Sequence, residues 1–318
     1  VSIVVEQIRD LVCGYHLYQL RTSSNEILPE YLFYALQSFG VQSYFKKHRT
    51  GTTIAGLARS ALDATRIPIP PIPEQRKIAD ILSGMNRCIK LRIEKISKLK
   101  KLKNALIQDY FSISTSNEWF HLGDISDFVT SGSRGWANYY SNKGSKFVRI
   151  GNLQRDSIDL NPNSNNWKFV SLPQNVEGIR TKLQKCDLLI SITADLGICC
   201  VYSPDLGESY VNQHISLVRL KEKFKPLHRF FAYYISSDFC QNQIDLMNDS
   251  GTKAGLNLNS IRKIQVPNIA LEAAQSIYRS LDSIQLAILA NQNLLASIEF
   301  QKSAIASDLL NGSKRVNI

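Results

Sequence analysis

IPIPPIPEQRKIADILSGMNRCIKLRIEKISKLKKLKNALIQDYF, residues 67–111, decides the fold. Its prolines stop any earlier helix and set up the next, because proline fits only a first helical turn. Beyond them apolar residues recur at alternating steps of four and three: Ile78, Leu82, Met85, Ile89, Ile96, Leu99, Leu106 and Tyr110, with Arg92 and Lys103 in the gaps. A helix from about Glu74 to Phe111 is predicted. A second stretch, VPNIALEAAQSIYRSLDSIQLAILANQNLLASIEFQKSAIASDLL at 266–310, repeats the seam. There Ile277, Leu281, Ile284, Ile288, Leu295, Ile298, Ile305 and Leu309 recur, with Asn291 and Lys302 in the gaps, each 199 residues after its counterpart. A seven-residue apolar repeat held this long predicts a coiled coil. With a globular segment between them, the helices are expected to pair antiparallel within one chain, in arms of roughly 55 Å. The alternatives are long core helices or a coil formed with a second molecule.

The duplication extends past the helices. LFYALQS (32–38) aligns with FAYYISS (231–237), Ala55-Gly56-Leu57 with Ala254-Gly255-Leu256, Ile67-Pro68 with Val266-Pro267, and Asp109-Tyr110-Phe111 with Asp308-Leu309-Leu310. Leu20-Arg21 and His16 match Val218-Arg219 and His214, and Gly51-Thr52 matches Gly251-Thr252, at offsets within one residue of the same value. Matches in one order at a nearly constant offset identify an internal repeat. The second copy begins near Trp119, so the first is expected to lack its front half in this chain. The expected division is 1–73 (the back of a first globular domain), 74–113 (a helix), 117–270 (a complete second domain) and 271–312 (a second helix). The second domain mixes short strands, such as KFVRIGNL and HISLVRL, with the aromatic helix PLHRFFAYYISSDFCQNQIDLM. The fold class is therefore α+β, globular domains joined by two long helices packed as an antiparallel coiled coil.

A formal net charge of +11 favours a polyanionic partner, nucleic acid foremost. The excess is concentrated in the first helix, in KLRIEKISKLKKLK, where Lys100 and Lys101 are candidate phosphate contacts or simply solvated. None of Cys13, Cys88, Cys186, Cys199, Cys200 and Cys240 forms a C-x-x-C pair, and none has zinc-site spacing with histidine. Free thiols in a reducing cytoplasm and no metal are expected. The start VSIVVEQIRD does not read as a signal peptide, and no apolar run reaches membrane-spanning length.

The loops of the second domain carry the candidate chemistry. SGSRGWANYYSNKGSKFVRIGNLQR gathers Arg134, Trp136, Asn138, Tyr139, Tyr140, Lys143, Lys146, Arg149, Asn152, Gln154 and Arg155. VNQH adds Asn212, Gln213 and His214, and SGTKAGLNLNS adds Lys253, Asn257 and Asn259. Arg and Lys suit guanine edges and phosphates, Asn and Gln suit adenine, and aromatic rings pack on bases or sugars. Each residue also has a plainer reading as scaffold or solvated surface, and Trp136 and the tyrosines have one as core.

These stretches together resemble the specificity subunits of type I restriction–modification systems. The resemblance is carried by WFHLGDI (119–125), TSGSRGW (130–136), KFVRIGNL (146–153), DLLISITADLG (187–197) and VNQHISLVRL (211–220). It is carried most specifically by P-P-x-x-E-Q-x-x-I, Pro70 to Ile78, at the start of the first long helix. It implies two target-recognition domains, each reading half of a split double-stranded DNA site. It also implies conserved spacer helices that pair antiparallel, dock two methyltransferase subunits and, through them, restriction subunits. In the second copy the motif reads VPNIALEAAQ, leaving Glu272 as its remnant.

No catalytic role is expected, and no cofactor. An adenine methyltransferase needs an N-P-P-[YF] turn and a glycine motif for its methyl donor, and Asn161-Pro162-Asn163-Ser164 does not fit. A P-loop is absent from the sequence. The readings left open are a DNA-reading adaptor, a coiled-coil scaffold, an inert or half-functional remnant of a specificity subunit, and a self-contained methyltransferase, in that order.

Overall fold

The computed structural model describes residues 1–4, 9–14, 16–22, 25–51, 56–112, 118–132, 134–162, 166–172, 176–248 and 255–316. They form two compact units, residues 1–97 with 289–318, and residues 98–288. The first unit holds helices α1 (Pro29–Gln37), α2 (Phe39–Lys47) and α3 (Arg59–Asp63), and the short antiparallel strands β1 (Arg49–Thr50) and β2 (Gly56–Leu57). Helix α4 (Ile72–Ser112) begins in this unit and ends in the second.

In the second unit the strands are β3 (Trp119–His121), β4 (Ser126–Ser131), β5 (Tyr140–Ser141), β6 (Ser145–Val148), β7 (Lys168–Val170), β8 (Leu188–Ser191), β9 (Cys199–Val201), β10 (Ser209–Val211), β11 (Ile215–Leu220) and β12 (Gln265–Pro267). Helices α5 (Val176–Thr181), α6 (His228–Ile235), α7 (Asp238–Leu246) and α8 (Leu258–Lys263) lie between them, and α9 (Leu271–Leu310) runs back into the first unit. One sheet is ordered β4-β11-β8-β9 and is antiparallel throughout. Its central strands are apolar on both faces, as a sheet covered on both sides requires. Leu188, Ile190, Val218 and Leu220 face the larger core, while Leu189, Ile215 and Leu217 face a smaller one. The second sheet is ordered β10-β6-β7-β5, with β10 and β6 parallel.

The repeat is visible in geometry as well as in residues. Helices α2 and α7, and α4 and α9, begin at positions 199 apart. Ser38 caps α2 through Val41 N (3.5 Å), and Ser237 caps α7 through Cys240 N (3.4 Å). Gln42 Nε2 donates to the Leu36 carbonyl at 2.7 Å, and Gln241 Nε2 donates to the Ile235 carbonyl at 2.7 Å. The Tyr34 hydroxyl lies 3.1 Å from Ser83 Oγ, and the Tyr233 hydroxyl donates to Asp282 at 2.8 Å. In the second copy this contact has become ionic. Arg229 of α6 binds both Asp159 (2.7 and 3.1 Å) and Asp282 of α9 (2.7 Å to each oxygen), tying the sheet domain to the helix.

The long helices run antiparallel in each unit. In the first, Ile78, Ala79 and Leu82 of α4 pack with Leu310 of α9, together with Tyr31, Tyr34 and Ala35 of α1. In the second, Ile107 and Phe111 of α4 share a core with Ala274 and Leu281 of α9. Along the seam Leu82, Ile96, Lys103, Leu281, Ile288 and Asn291 are buried. Met85, Ile89, Arg92, Leu99, Leu106, Ile284, Leu295, Ile298 and Lys302 are half-buried. Ile305, expected in the seam, is 37% exposed. The contact stripe drifts by one residue at the end of each helix, to Ile107 and Phe111 in α4 and to Ala306 and Leu310 in α9. Such drift follows from 3.6 residues per turn meeting a repeat of 3.5.

Arg92, Asn291 and Lys103 of the polar seam find partners, although Arg92 Nε is buried without one among the described residues. Arg92 Nη1 donates to Asn291 Oδ1 at 2.6 Å, a position bonded to its own repeat counterpart. Lys103 donates to Gln285 Oε1 (2.8 Å) and to the Asp156 carbonyl, and burial lowers its pKa. Lys100, a candidate phosphate contact by sequence, pairs with Asp156 at 2.6 Å, while Lys101 is exposed.

The motif at the start of α4 also has a structural task. Gln75 is fully buried; it accepts from Leu28 N (2.8 Å) and donates to the carbonyls of Glu26 (2.6 Å) and Pro70 (2.7 Å). Buried Glu74 accepts from Arg315 (2.7 and 3.0 Å) and from Val316 N (3.4 Å). Because α9 begins in the same frame as α4, Ala273 and Ala274 replace this pair in the second copy. Glu272, read from sequence as the remnant, instead corresponds to Pro73 and is exposed.

Arg92→Leu should lower stability by about 1 kcal/mol, because it strips a hydrogen bond from a buried amide. Adding Asn291→Leu should recover at least that much, with urea unfolding midpoints as the readout. The Arg315 guanidinium holds the Glu74 carboxyl below the usual carboxylate range. Its stabilisation is therefore complete above about pH 4.3, the ordinary value, and is lost as pH falls through the lowered one. Melting temperatures of the parent and Glu74→Gln should differ by a constant amount above about pH 5.5 and converge in acid.

Candidate nucleic-acid interface

Strands β4 and β8 end, and strands β9 and β11 begin, at one edge of the first sheet. The loops leaving that edge are stitched together by backbone bonds. Gly132 N donates to the Asn212 carbonyl (3.2 Å), Ile192 N to the His214 carbonyl (3.0 Å) and Leu256 N to the Ile192 carbonyl (3.0 Å). An isolated bridge pairs Thr193 with Gly255. Parallel strands β6 and β10 of the second sheet end here too, through Asn212 N to the Val148 carbonyl at 3.0 Å. Loops distant in sequence thus meet at one place. Gly132 allows the closest approach, since a Cβ on it would stand 2.0 Å from the Val211 carbonyl oxygen.

Arg134, Gln213, His214 and Asn257 are carried by these loops. Arg134 is exposed and makes no hydrogen bond or ion pair with a described residue. Gln213 and His214 are half-buried at the tip of the tight turn Asn212–Ile215, closed by Ile215 N to the Asn212 carbonyl at 3.2 Å. Asn257 caps α8 through Ser260 N at 2.8 Å.

Several predicted contacts prove to be framework. Trp136 is 3% exposed, stacked on Phe147 at 5.3 Å, with Tyr210 edge-on at 5.5 Å. Its ring belongs to a small core that Tyr139 packs against, and no face is left for a base. Asn152 is buried and accepts from Arg149 N at 2.9 Å, and Arg149 donates to the Asn166 carbonyl at 3.0 Å. Asn212 is buried and uses its Oδ1 to accept from His214 N at 3.2 Å, fixing the turn. Arg155 clamps the β8–β9 loop through Asp195, the Leu196 carbonyl (2.7 Å) and Gln241 (3.0 Å).

The remaining candidates divide by position. Gln154 and Asn138 are exposed. Tyr140 lies at the far end of the second sheet, by the register Tyr140↔Val170 and Ser145↔Val170, and Lys143 is in the connection between β5 and β6. The Lys146 ammonium stands 5.4 Å over the Trp167 ring. Lys253 lies outside the described residues. Thr193 and Asp195, not among the residues singled out above, lie in the same loops, in the T-A-D-L-G turn where Ala194 adopts a φ of 59°.

The surroundings are chemically quiet. Burial pushes the Cys200 thiol up to about 12, and raises those of Cys199 and Cys240, so these are packing residues and not nucleophiles. Among the described residues no three His, Cys, Asp or Glu side chains are grouped to hold a metal ion. No helix among them is long and apolar enough to cross a membrane.

Loops with amide, imidazole and guanidinium groups thus share one end of the first sheet. The chain belongs to the family of the type I restriction modification DNA specificity domain, whose model matches residues 1–101 and 116–299. It is 23% identical over 327 residues to the type I restriction enzyme MjaVIII specificity subunit of Methanocaldococcus jannaschii, covering 92% of this chain and 72% of that protein. It is 21% identical over 302 residues to the EcoBI specificity subunit of Escherichia coli, covering 84% and 60%. The crystal structure of the type I restriction-modification system S subunit from M. genitalium shares the fold, with a TM-score of 0.59 at 17% identity over 90% of this chain and 73% of that one. The chain is thus a specificity subunit with a DNA-recognition role, the non-catalytic member of a restriction–modification complex.

Gly132→Ala should destabilise the second unit by about 1–3 kcal/mol, since the added Cβ meets backbone and not a flexible side chain. The checks are a lowered thermal midpoint and faster proteolysis within the 131–135 loop.

Proposed function

We propose that this subunit reads part of a split double-stranded DNA target through the loops at the β4–β11–β8 sheet edge. On this reading Arg134 and Gln213 face the bases, with His214 behind them holding the turn. Asn138, Lys146, Gln154, Lys253 and Asn257 supply backbone and rim contacts, with Tyr140 an outlying one on the second sheet, and Trp136, Tyr139, Arg149, Asn152, Asn212 and Arg155 hold the loops in shape. The domains follow the division 1–73, 74–113, 117–270 and 271–312, with the paired helices docking methyltransferase subunits and, through them, restriction subunits, in the cytoplasm. The observation that carries the proposal is the convergence of separate loops, one of which carries an exposed Arg134 that pairs with no described residue, in a chain of net charge +11. A lone guanidinium beside amide donors and acceptors is what major-groove readout requires.

The test is to co-express the chain with its neighbouring methyltransferase and map methylated bases across a genome. A single two-part motif is expected. Arg134→Ala should relax one base position by about tenfold or more, whereas Lys101→Ala should weaken binding evenly and reduce its salt dependence. A complex that assembles yet methylates without sequence preference would overturn the proposal in favour of a coiled-coil scaffold.

A further inference from the structure

The turn Asn212–Ile215 holds a chain of side-chain bonds that the base-reading proposal does not by itself require. His214 Nδ1 lies 3.0 Å from Thr193 Oγ1, and His214 Nε2 lies 3.0 Å from Gln213 Nε2. An amide nitrogen only donates, so His214 Nε2 accepts; the ring proton then sits on Nδ1 and is donated to Thr193. The imidazole is anchored further by its own backbone, through Ile192 N to the His214 carbonyl and His214 N to Asn212 Oδ1. One Gln213 N–H is thereby engaged. Its second N–H and its Oε1 remain, and Oε1 has no partner among the described residues and is not enclosed.

A side chain that offers one donor and one acceptor, side by side and held by a third group, matches a single base edge. Adenine presents N7 as acceptor and N6 as donor in the major groove, whereas guanine presents two acceptors there. Held as it is, the amide would set its Oε1 against guanine O6, acceptor against acceptor. The geometry points to Gln213 as a specificity-determining residue that reads an adenine, with His214 and Thr193 as positioning residues that hold its amide. This inference rests on the base-reading function proposed for the same loops.

The experiment uses the full complex with methyltransferase, reading the methylated motif and competition binding by duplexes altered one base pair at a time. Gln213→Ala should lose discrimination at one A·T pair by about tenfold or more. His214→Phe and Thr193→Val should relax that same pair to a smaller degree, and His214→Gln, which restores an acceptor, should relax it less than His214→Phe. Gln213→Glu keeps the shape but only accepts, so preference at that pair should move toward cytosine, whose N4 donates. The Glu variant decides the matter if the Ala variant fails to assemble. The inference is overturned if Gln213→Ala and Gln213→Glu leave the motif intact, if they weaken all sequences evenly, or if the position relaxed is a G·C pair. If that happens while Arg134→Ala still relaxes a position, the reading surface stands and only the role of Gln213 falls. If no variant alters any base position, both fall.

Discussion

The structure depends on one packing constraint: two long helices of a single chain must lie antiparallel with their apolar stripes in register. Apolar stripes alone are poor at choosing register, because a slip of one heptad buries nearly the same area. The polar seam positions remove that freedom. Arg92 finds the Asn291 amide, and Lys103 finds Gln285 together with the Asp156 carbonyl. A slipped pairing would leave these groups buried without partners, which costs more than their bonds contribute. The residues that interrupt the hydrophobic pattern are therefore the ones that specify it.

The same division between shaping and contacting groups governs the recognition loops. Polar side chains that look alike in sequence separate by burial. Asn152 and Asn212 turn inward to satisfy backbone amides, while Arg134 stays exposed and pairs with no described residue. Backbone groups enclosed in a loop must be satisfied by something, and a short amide side chain is well suited to do it. Arg155 is likewise absorbed by Asp195 and Gln241. The surface left for a partner is smaller and more specific than composition suggests.

This separation explains what could be read from sequence. The long helices and their antiparallel pairing follow from local pattern and a constant offset, both one-dimensional signals, whereas the cap at Ser237 divides what reads as one helix into α6 and α7. The site was legible only as a list of residue types. The span from Arg134 to Arg155 is continuous in sequence, yet the sheet sends Tyr140 to the opposite end from Arg149. Conversely nothing in the sequence pairs Thr193 with His214, which it contacts across the sheet end. Tertiary convergence has no period. The exposure of Ile305 and the non-equivalence of Glu272 are errors of frame, each a matter of one residue.

The bond between Arg92 and Asn291 carries a further consequence. After a segment is duplicated, each copy is ordinarily free to diverge alone, as Tyr34 with Ser83 and Tyr233 with Asp282 have done. A site that touches its own twin has no such freedom, because every replacement in one copy changes the surroundings of the other. Two copies that meet at such a position are bound to change as a couple, and a cation facing a neutral amide avoids the like-on-like contact that two identical charged side chains would make there.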